Sequence, residues 1–270
     1  MQFTLMNGSG NNFVVLDNRA GDVPEHEASA FTRAVSRRGL GLGTDGVILI
    51  DRPEHEGVDF RWTYYNTDGS RAGMCGNGAM CGVRFAVEQD IAPAHCRFDS
   101  DTGTVEAIIH GDRRVSLRLP SATAVEGPRT LETQAGPQAV SSVTVGVPHA
   151  VVRVDDADAV SEFAAWGASV RHHPAFGLAG VNANLVHVID RWTIRMRTFE
   201  RGVEGETLAC GTGAAASAVV GMREGWLDGP VCVVTSSGLA LEVDERVDGL
   251  WLSGETRIVA TGELGEDVFR

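Results

Sequence analysis

Two short stretches combine residue types that could move a proton on and off an acidic carbon: Met74-Cys75-Gly76-Asn77-Gly78-Ala79 and Ala209-Cys210-Gly211-Thr212-Gly213-Ala214. Each is a cysteine, then a Gly-x-Gly turn, then small and apolar residues suited to a buried helix. A cysteine at a helix N-terminus feels the positive end of the helix dipole, which favours its thiolate, and the unpaired N–H groups there can hold a carboxylate. A free thiol titrates near ~8.5, and this setting lowers it. One thiolate and one thiol on opposite faces of a bound carbon are a base and an acid. Removing a proton from one face and returning one to the other inverts the centre, which is racemisation or epimerisation by general acid–base catalysis. A carboxylate held by both turns would stabilise the charge that develops on deprotonation. A buried cysteine outside such a context is a small hydrophobe. That is the reading for Cys81, Cys96 and Cys232.

Composition limits the rest of the chemistry. All 23 basic side chains are arginine. A chain without lysine can neither form the Schiff base of a pyridoxal-phosphate enzyme nor supply the phosphate-binding lysine of a Walker A loop. Neither pyridoxal phosphate nor a P-loop nucleotide is therefore expected. The five cysteines follow no CxxC or other metal-ligand spacing, so neither a regular zinc site nor a disulfide framework is expected, and the pattern points to a reducing cytoplasm. A net charge of −13 argues against nucleic acid as partner. No apolar run approaches the ~20 residues that span a bilayer. Met1-Gln2-Phe3-Thr4-Leu5 does not open a secretory signal.

The elements that must position the two cysteines recur as well. A strand, a loop at Asn7-Gly8-Ser9-Gly10-Asn11-Asn12 and a second strand at Phe13-Val14-Val15-Leu16-Asp17 open the chain. A helical pattern over 25–38, strands at 47–50 and 60–65 and a turn at 66–70 lead to Cys75. The following helix should run towards Asp90, with Arg84 and Glu88 paired one turn apart, and strands are expected around 96–99, 104–109 and 114–119. Residues 120–142, rich in Pro, Ser, Thr, Ala and Gly, read as a linker. Beyond it the pattern repeats. Val151 to Asp155 resembles Phe13 to Asp17, placing His149 opposite Asn11, and Ile194 to Glu200 resembles Phe60 to Asn66. Cys210 follows Cys75, and Ser237-Gly238 follows Thr102-Gly103, at one offset of 135. The helix after Cys210 is apolar nearly all round, so it should be enclosed. Two similar halves follow, each a β-rich shell around a buried helix, with the helix N-termini expected to meet.

At these residues the chain resembles the diaminopimelate epimerases, cofactor-independent enzymes that interconvert LL- and meso-diaminopimelate in lysine and peptidoglycan synthesis. Gly8 to Val14, Asn66 to Gly69, Met74 to Gly78, Pro148-His149, Val181-Asn182, Glu200 to Gly202 and Thr207 to Gly213 carry the likeness. It implies an α+β fold of two pseudo-symmetric domains, each a largely antiparallel, barrel-like sheet wrapped around a central helix. The domains would span residues 1–119 and 120–260, with 261–270 able to return to the first. It implies Cys75 and Cys210 as the acid/base pair, tuned by His149 and Glu200. Gly76, Asn77, Gly211 and Thr212 would hold the reacting carboxylate through their N–H groups. Asn66, Asn182, Glu200 and Arg201 would contact the rest of the substrate, Arg201 facing its distal carboxylate, and Asn11 would line the same pocket. A homodimer is implied, with no metal, nucleic acid or membrane partner.

Several positions depart from the family pattern. Asn12 stands for an aspartate, Gly46 for a glutamine that reaches the substrate in some members, Val147 for an asparagine and Met80 for an arginine, and one residue is inserted at Glu204-Gly205. The losses at Gly46 and Val147 fall at the distal end of the pocket. They keep a racemase for another amino acid, such as histidine, as an alternative, beside a non-catalytic carboxylate-binding protein. A phenazine-type isomerase shares the fold but lacks the paired cysteines.

Overall fold

The apolar alternation of the sequence becomes a strand-rich chain in the computed structural model, which describes residues 1–111 and 113–269. Two compact units emerge: Met1–Leu117 together with Ser253–Arg270, and Arg118–Leu252. In chain order the first holds β1 (Gln2–Gly8), β2 (Asn11–Asp17), α1 (Glu25–Ser36), β3 (Gly46–Asp51), β4 (Phe60–Asn66), β5 (Arg71–Ala72), α2 (Gly76–Glu88), β6 (His95–Ser100), β7 (Gly103–His110) and β8 (Arg114–Leu119), the last ending across the boundary. The second holds β9 (Glu126–Thr133), β10 (Gly136–Val145), β11 (Val147–Val154), α3 (Phe163–Arg171), β12 (Asn182–Asp190), β13 (Thr193–Glu200), β14 (Gly205–Thr207), α4 (Gly211–Arg223), β15 (Val231–Val234) and β16 (Ala240–Arg246). The long β17 (Gly249–Glu263) begins in the second unit and ends in the first, where residues 256–263 pair antiparallel with β1.

The same wiring appears twice. β2–β3 and β11–β12 are parallel pairs, joined by crossovers that contain α1 and α3. Parallel neighbours need such a crossover, because a tight turn can only reverse the chain. β4–β6 and β13–β15 are also parallel, whereas β1–β2, β3–β4, β10–β11 and β12–β13 are antiparallel. In each unit the strands enclose one helix. Residues Asn77 to Ala86 of α2 and Gly213 to Gly221 of α4 are buried. This is the expected α+β architecture.

Both central helices stop in the same way. Asp90 (φ 52°) and Gly225 (φ 78°) take the left-handed conformation, after which Ile91 N–H reaches Ala86 O at 2.8 Å and Trp226 N–H reaches Gly221 O at 3.0 Å. These are Schellman closures, which satisfy carbonyls that the helix itself leaves open.

Residues 120–142 are not a linker. Only 120–125 lack regular structure, and the rest form the β9–β10 hairpin, with Leu131 and Val140 buried in the core of the second unit. Sparse apolar residues among Ser, Thr and Gly hide a strand whose other face is exposed.

Candidate active site

In the first unit Cys75 is the N-cap of α2, in extended conformation (φ −141°), and no side chain caps the helix. The first intrahelical bond runs from Ala79 N–H to Cys75 O at 2.7 Å. The N–H groups of Gly76, Asn77 and Gly78 therefore form the donor-rich first turn that an α-helix cannot satisfy internally. Asn77 is buried, and its Nδ2 donates to Asn11 Oδ1 at 3.0 Å, tying this turn to the start of β2. Asn66 ends β4 and donates to Ser70 Oγ at 3.0 Å, which closes the turn leading to Cys75. Glycine is required where α2 touches its shell. A Cβ at Gly8 would lie 2.7 Å from Asn77 O, and one at Gly82 would lie 2.6 Å from Trp62 Cδ1.

The second unit builds its turn differently. Cys210 is the N-cap of α4, again with no side-chain cap, and the first helical bond is Ala214 N–H to Cys210 O at 2.9 Å. Thr212 Oγ1 lies 3.6 Å from Cys210 Sγ, so a hydroxyl sits beside the thiol. Three strands then present a polar row. Strand register aligns His149, Asn182 and Glu200, and the next row in is Val151, Asn184 and Thr198. Asn182 Oδ1 accepts from Arg201 N–H at 2.7 Å, which fixes the start of the loop carrying that arginine. Glu204 (φ 55°) closes the loop, its carboxylate meeting Arg171 at 3.0 Å and His172 at 3.1 Å. The inserted residue thus falls in a turn anchored to the end of α3.

Burial sets the protonation of this row. His149 is fully buried, and that burial, with Arg201 nearby, pushes its imidazole down to about 3, so it is neutral at physiological pH. Burial pushes the Glu200 carboxyl up, with the Thr207 hydroxyl opposing the shift. The Cys81 and Cys96 thiols are pushed up by burial too, Cys96 to about 12, which suits inert core residues.

Contacts to the two cysteine turns register the internal repeat atom by atom. A Cβ at Gly78 would meet Ile48 Cδ1 at 3.3 Å and Cys75 Sγ at 3.6 Å, while one at Gly213 would meet Asn184 Oδ1 at 2.5 Å and Cys210 Sγ at 3.3 Å. Ile48 and Asn184 are therefore equivalent, and the strand pairings extend this to Gly46 with Asn182, Phe13 with His149 and Asn66 with Glu200. His149 does not correspond to Asn11, as the alignment of Asp17 with Asp155 implied; Val147 does. The two cysteine turns thus share a backbone but not a chemistry. The rows facing α2 hold Phe13, Gly46 and Ile48, where those facing α4 hold His149, Asn182 and Asn184.

Two residues of these rows escape a reading of the sequence. Asn184 lies two places after Asn182, on the same face of an otherwise apolar strand, and that alternation is the one local sign of it. Tyr64 is the other. Its hydroxyl lies 2.8 Å from where a Cβ at Gly46 would stand and donates to Asp45 O at 3.2 Å. The space a side chain at 46 would enter holds a phenol instead. At Asn12, the Asp45 carboxylate already accepts from the backbone N–H at 2.8 Å, a place where a second carboxylate would be repelled.

A duplicated unit of strands around a central helix defines a fold class found in solved structures of several kinds. A probable proline racemase from Agrobacterium radiobacter K84, with bound carbonate, superposes with a TM-score of 0.71 at 15% identity, covering 98% of this chain and 93% of that one. A phenazine biosynthesis protein from Bacillus anthracis superposes with a TM-score of 0.73 at 13% identity, covering 98% of both chains. At those identities the likeness is one of fold. Sequence narrows it: the family profile described as diaminopimelate epimerase matches residues 3–125 and 141–262. The diaminopimelate epimerase of Aquifex aeolicus is 39% identical over 278 residues, spanning 99% of each chain. This chain belongs to the diaminopimelate epimerase family.

Proposed function

We propose that the chain is a diaminopimelate epimerase that inverts one α-carbon of LL-2,6-diaminopimelate to give the meso form, without a cofactor, in lysine and peptidoglycan biosynthesis. One observation carries this reading. Both cysteines cap enclosed helices that have no other cap, so each thiol shares its helix end with a set of open N–H donors. Cys75 and Cys210 act as acid and base on opposite faces of the carbon and exchange roles with direction. Gly76, Asn77, Gly211 and Thr212 hold the reacting carboxylate, and the charge that gathers on it is met by donors already in place. Asn11, Asn66, Asn182 and Glu200 contact the substrate, and Arg201 takes its distal carboxylate. Neutral His149 and the raised Glu200 adjust the field at the thiols. The enzyme works in the cytoplasm as a homodimer. Among the described residues no helix is long and apolar enough to cross a membrane.

Incubation with diaminopimelate in deuterated water tests the reaction: solvent deuterium enters one α-position as the LL- and meso-forms equilibrate. Exchange with another amino acid, histidine for example, and none with diaminopimelate would shift the assignment to a related racemase. Binding without any exchange would make the protein a carboxylate-binding module. Replacing either cysteine by alanine should lower turnover by about 10²–10⁴, the usual worth of a positioned acid or base. Unchanged turnover in both variants would remove the two-thiol mechanism.

A further inference from the structure

Asn184 is the third residue of β12 and has no solvent exposure, yet both ends of its amide are engaged. Its Nδ2 donates to Ala150 O at 3.0 Å and faces His149 Nδ1 at 3.2 Å, while its Oδ1 accepts from Thr198 Oγ1 at 3.0 Å. A backbone carbonyl can only accept, so Ala150 O decides which end of the amide is nitrogen. That nitrogen also faces His149 Nδ1, which must then carry its lone pair. A neutral imidazole has one proton, and here it is on Nε2. Nε2 is buried too, and among the described residues it has no hydrogen-bond partner. Leaving such a donor unmade costs ~1–3 kcal/mol. A site that tolerates it holds the donor in readiness for an acceptor that arrives.

We propose that Asn184 is a positioning residue that locks His149 as an Nε2–H hydrogen-bond donor, so that His149 serves the site by donating to an anionic acceptor and not by taking up a proton. The lock is coupled to the Cys210 turn through one contact. Asn184 Oδ1 lies 2.5 Å from the place a Cβ at Gly213 would occupy, so only glycine at 213 leaves the amide where it is. The equivalent place in the first unit is held by Ile48, and the residue equivalent to His149 is Phe13, so the device is confined to the unit of Cys210. The donor role rests on the epimerase reading only for its effect on turnover. The tautomer itself can be observed without substrate.

The test is a long-range proton–nitrogen correlation spectrum of the whole protein labelled with ¹⁵N-histidine. The eight histidines are sorted by the signal that disappears in His149→Gln. The expected result for His149 is a neutral ring at pH 7, protonated at Nε2 and bare at Nδ1. In Asn184→Asp, a carboxylate facing Nδ1 should draw a proton there, giving the opposite tautomer or an imidazolium. Gly213→Ala, which displaces the amide by a different route, should mix the tautomers if Asn184→Asp does not fold. Turnover of Asn184→Asp should fall about tenfold with KM little changed, equal to ~1.4 kcal/mol in the barrier. A wild-type His149 protonated at Nδ1 overturns the proposal, as does a spectrum unchanged in both variants. If the tautomer is as stated but no amino acid exchanges its α-proton, the lock stands and the epimerase reading fails.

Discussion

At the scale of single residues, the polar row behind Cys210 holds groups that burial keeps away from their ordinary ionisation, and this has a signed consequence for stability. His149 titrates in the folded protein at about 3, below its ordinary 6.5. As pH falls from 6.5 towards 3, the unfolded chain takes up a proton that the folded chain refuses, so stability is lost across that window. Glu200 has the opposite sign. Its folded carboxyl is raised above 4.5, so its burial cost is present at neutral pH and is relieved as pH falls towards 4.5. Urea midpoints measured from pH 4 to pH 7.5 should show this. His149→Gln should flatten the acid slope, whereas Glu200→Gln should gain on the wild type at pH 7 and lose that advantage in acid. Parallel pH profiles for the wild type and both variants would mean that neither group is buried in solution. Tyr64 and Gly46 offer a second residue-scale test. An alanine at 46 would place its Cβ 2.4 Å from the Tyr64 ring and 2.6 Å from Tyr65 O. Overpacking of this kind costs ~1–3 kcal/mol. In Gly46→Ala/Tyr64→Ala the ring clash goes and the carbonyl clash stays. The double variant should therefore unfold at higher urea than the sum of its single effects predicts.

At the scale of elements, what is legible in the sequence is what is local. The cysteine turns, α2, α4 and most strands announce themselves in ten or fifteen consecutive residues, through a Gly-x-Gly turn, an apolar run or alternation. The register between strands does not. Aligning the repeat on Asp17 and Asp155 shifts β11 by two residues from its true correspondence, and a shift of two in a strand returns every side chain to the same face. Both alignments bury the same pattern, so only atoms separate them. For the same reason Asn184 is hidden in the sequence: its partner His149 is 35 residues away, and nothing in either segment names the other. α2 supplies a prediction at this scale. Helix propensity alone says that Gly82→Ala should stabilise by ~1 kcal/mol. The Trp62 ring, 2.6 Å from the new Cβ, says otherwise, because a fully buried indole cannot withdraw without displacing its neighbours. Steric crowding should win, and thermal unfolding should begin several degrees lower in Gly82→Ala. A raised melting point would show that α2 is held less closely by β4 than the Trp62 contact requires.

At the scale of the whole molecule, the two units carry the same wiring with unlike side chains, a neutral, largely apolar row behind Cys75 and a polar, titratable one behind Cys210. Over both lies a net charge of −13, which repels anions at long range and is screened by salt. That field can discriminate between substrate readings without a ligand-bound structure. Diaminopimelate has two ammonium and two carboxylate groups at neutral pH, so it is electrically neutral overall and should approach without a net barrier. The proposed contact with Arg201, a half-buried side chain, would be short-range, where salt acts weakly. The expected outcome is a kcat/KM for diaminopimelate that changes less than about twofold between 0.05 and 0.5 M sodium chloride, an interval over which the Debye length contracts from roughly 14 to 4 Å. A substrate with net negative charge would behave differently, its kcat/KM climbing with salt as the repulsion is screened. If diaminopimelate itself shows such a climb, the species that enters the site is not the neutral zwitterion. The assignment of Arg201 and the two helix ends as its carboxylate partners would then have to be rebuilt.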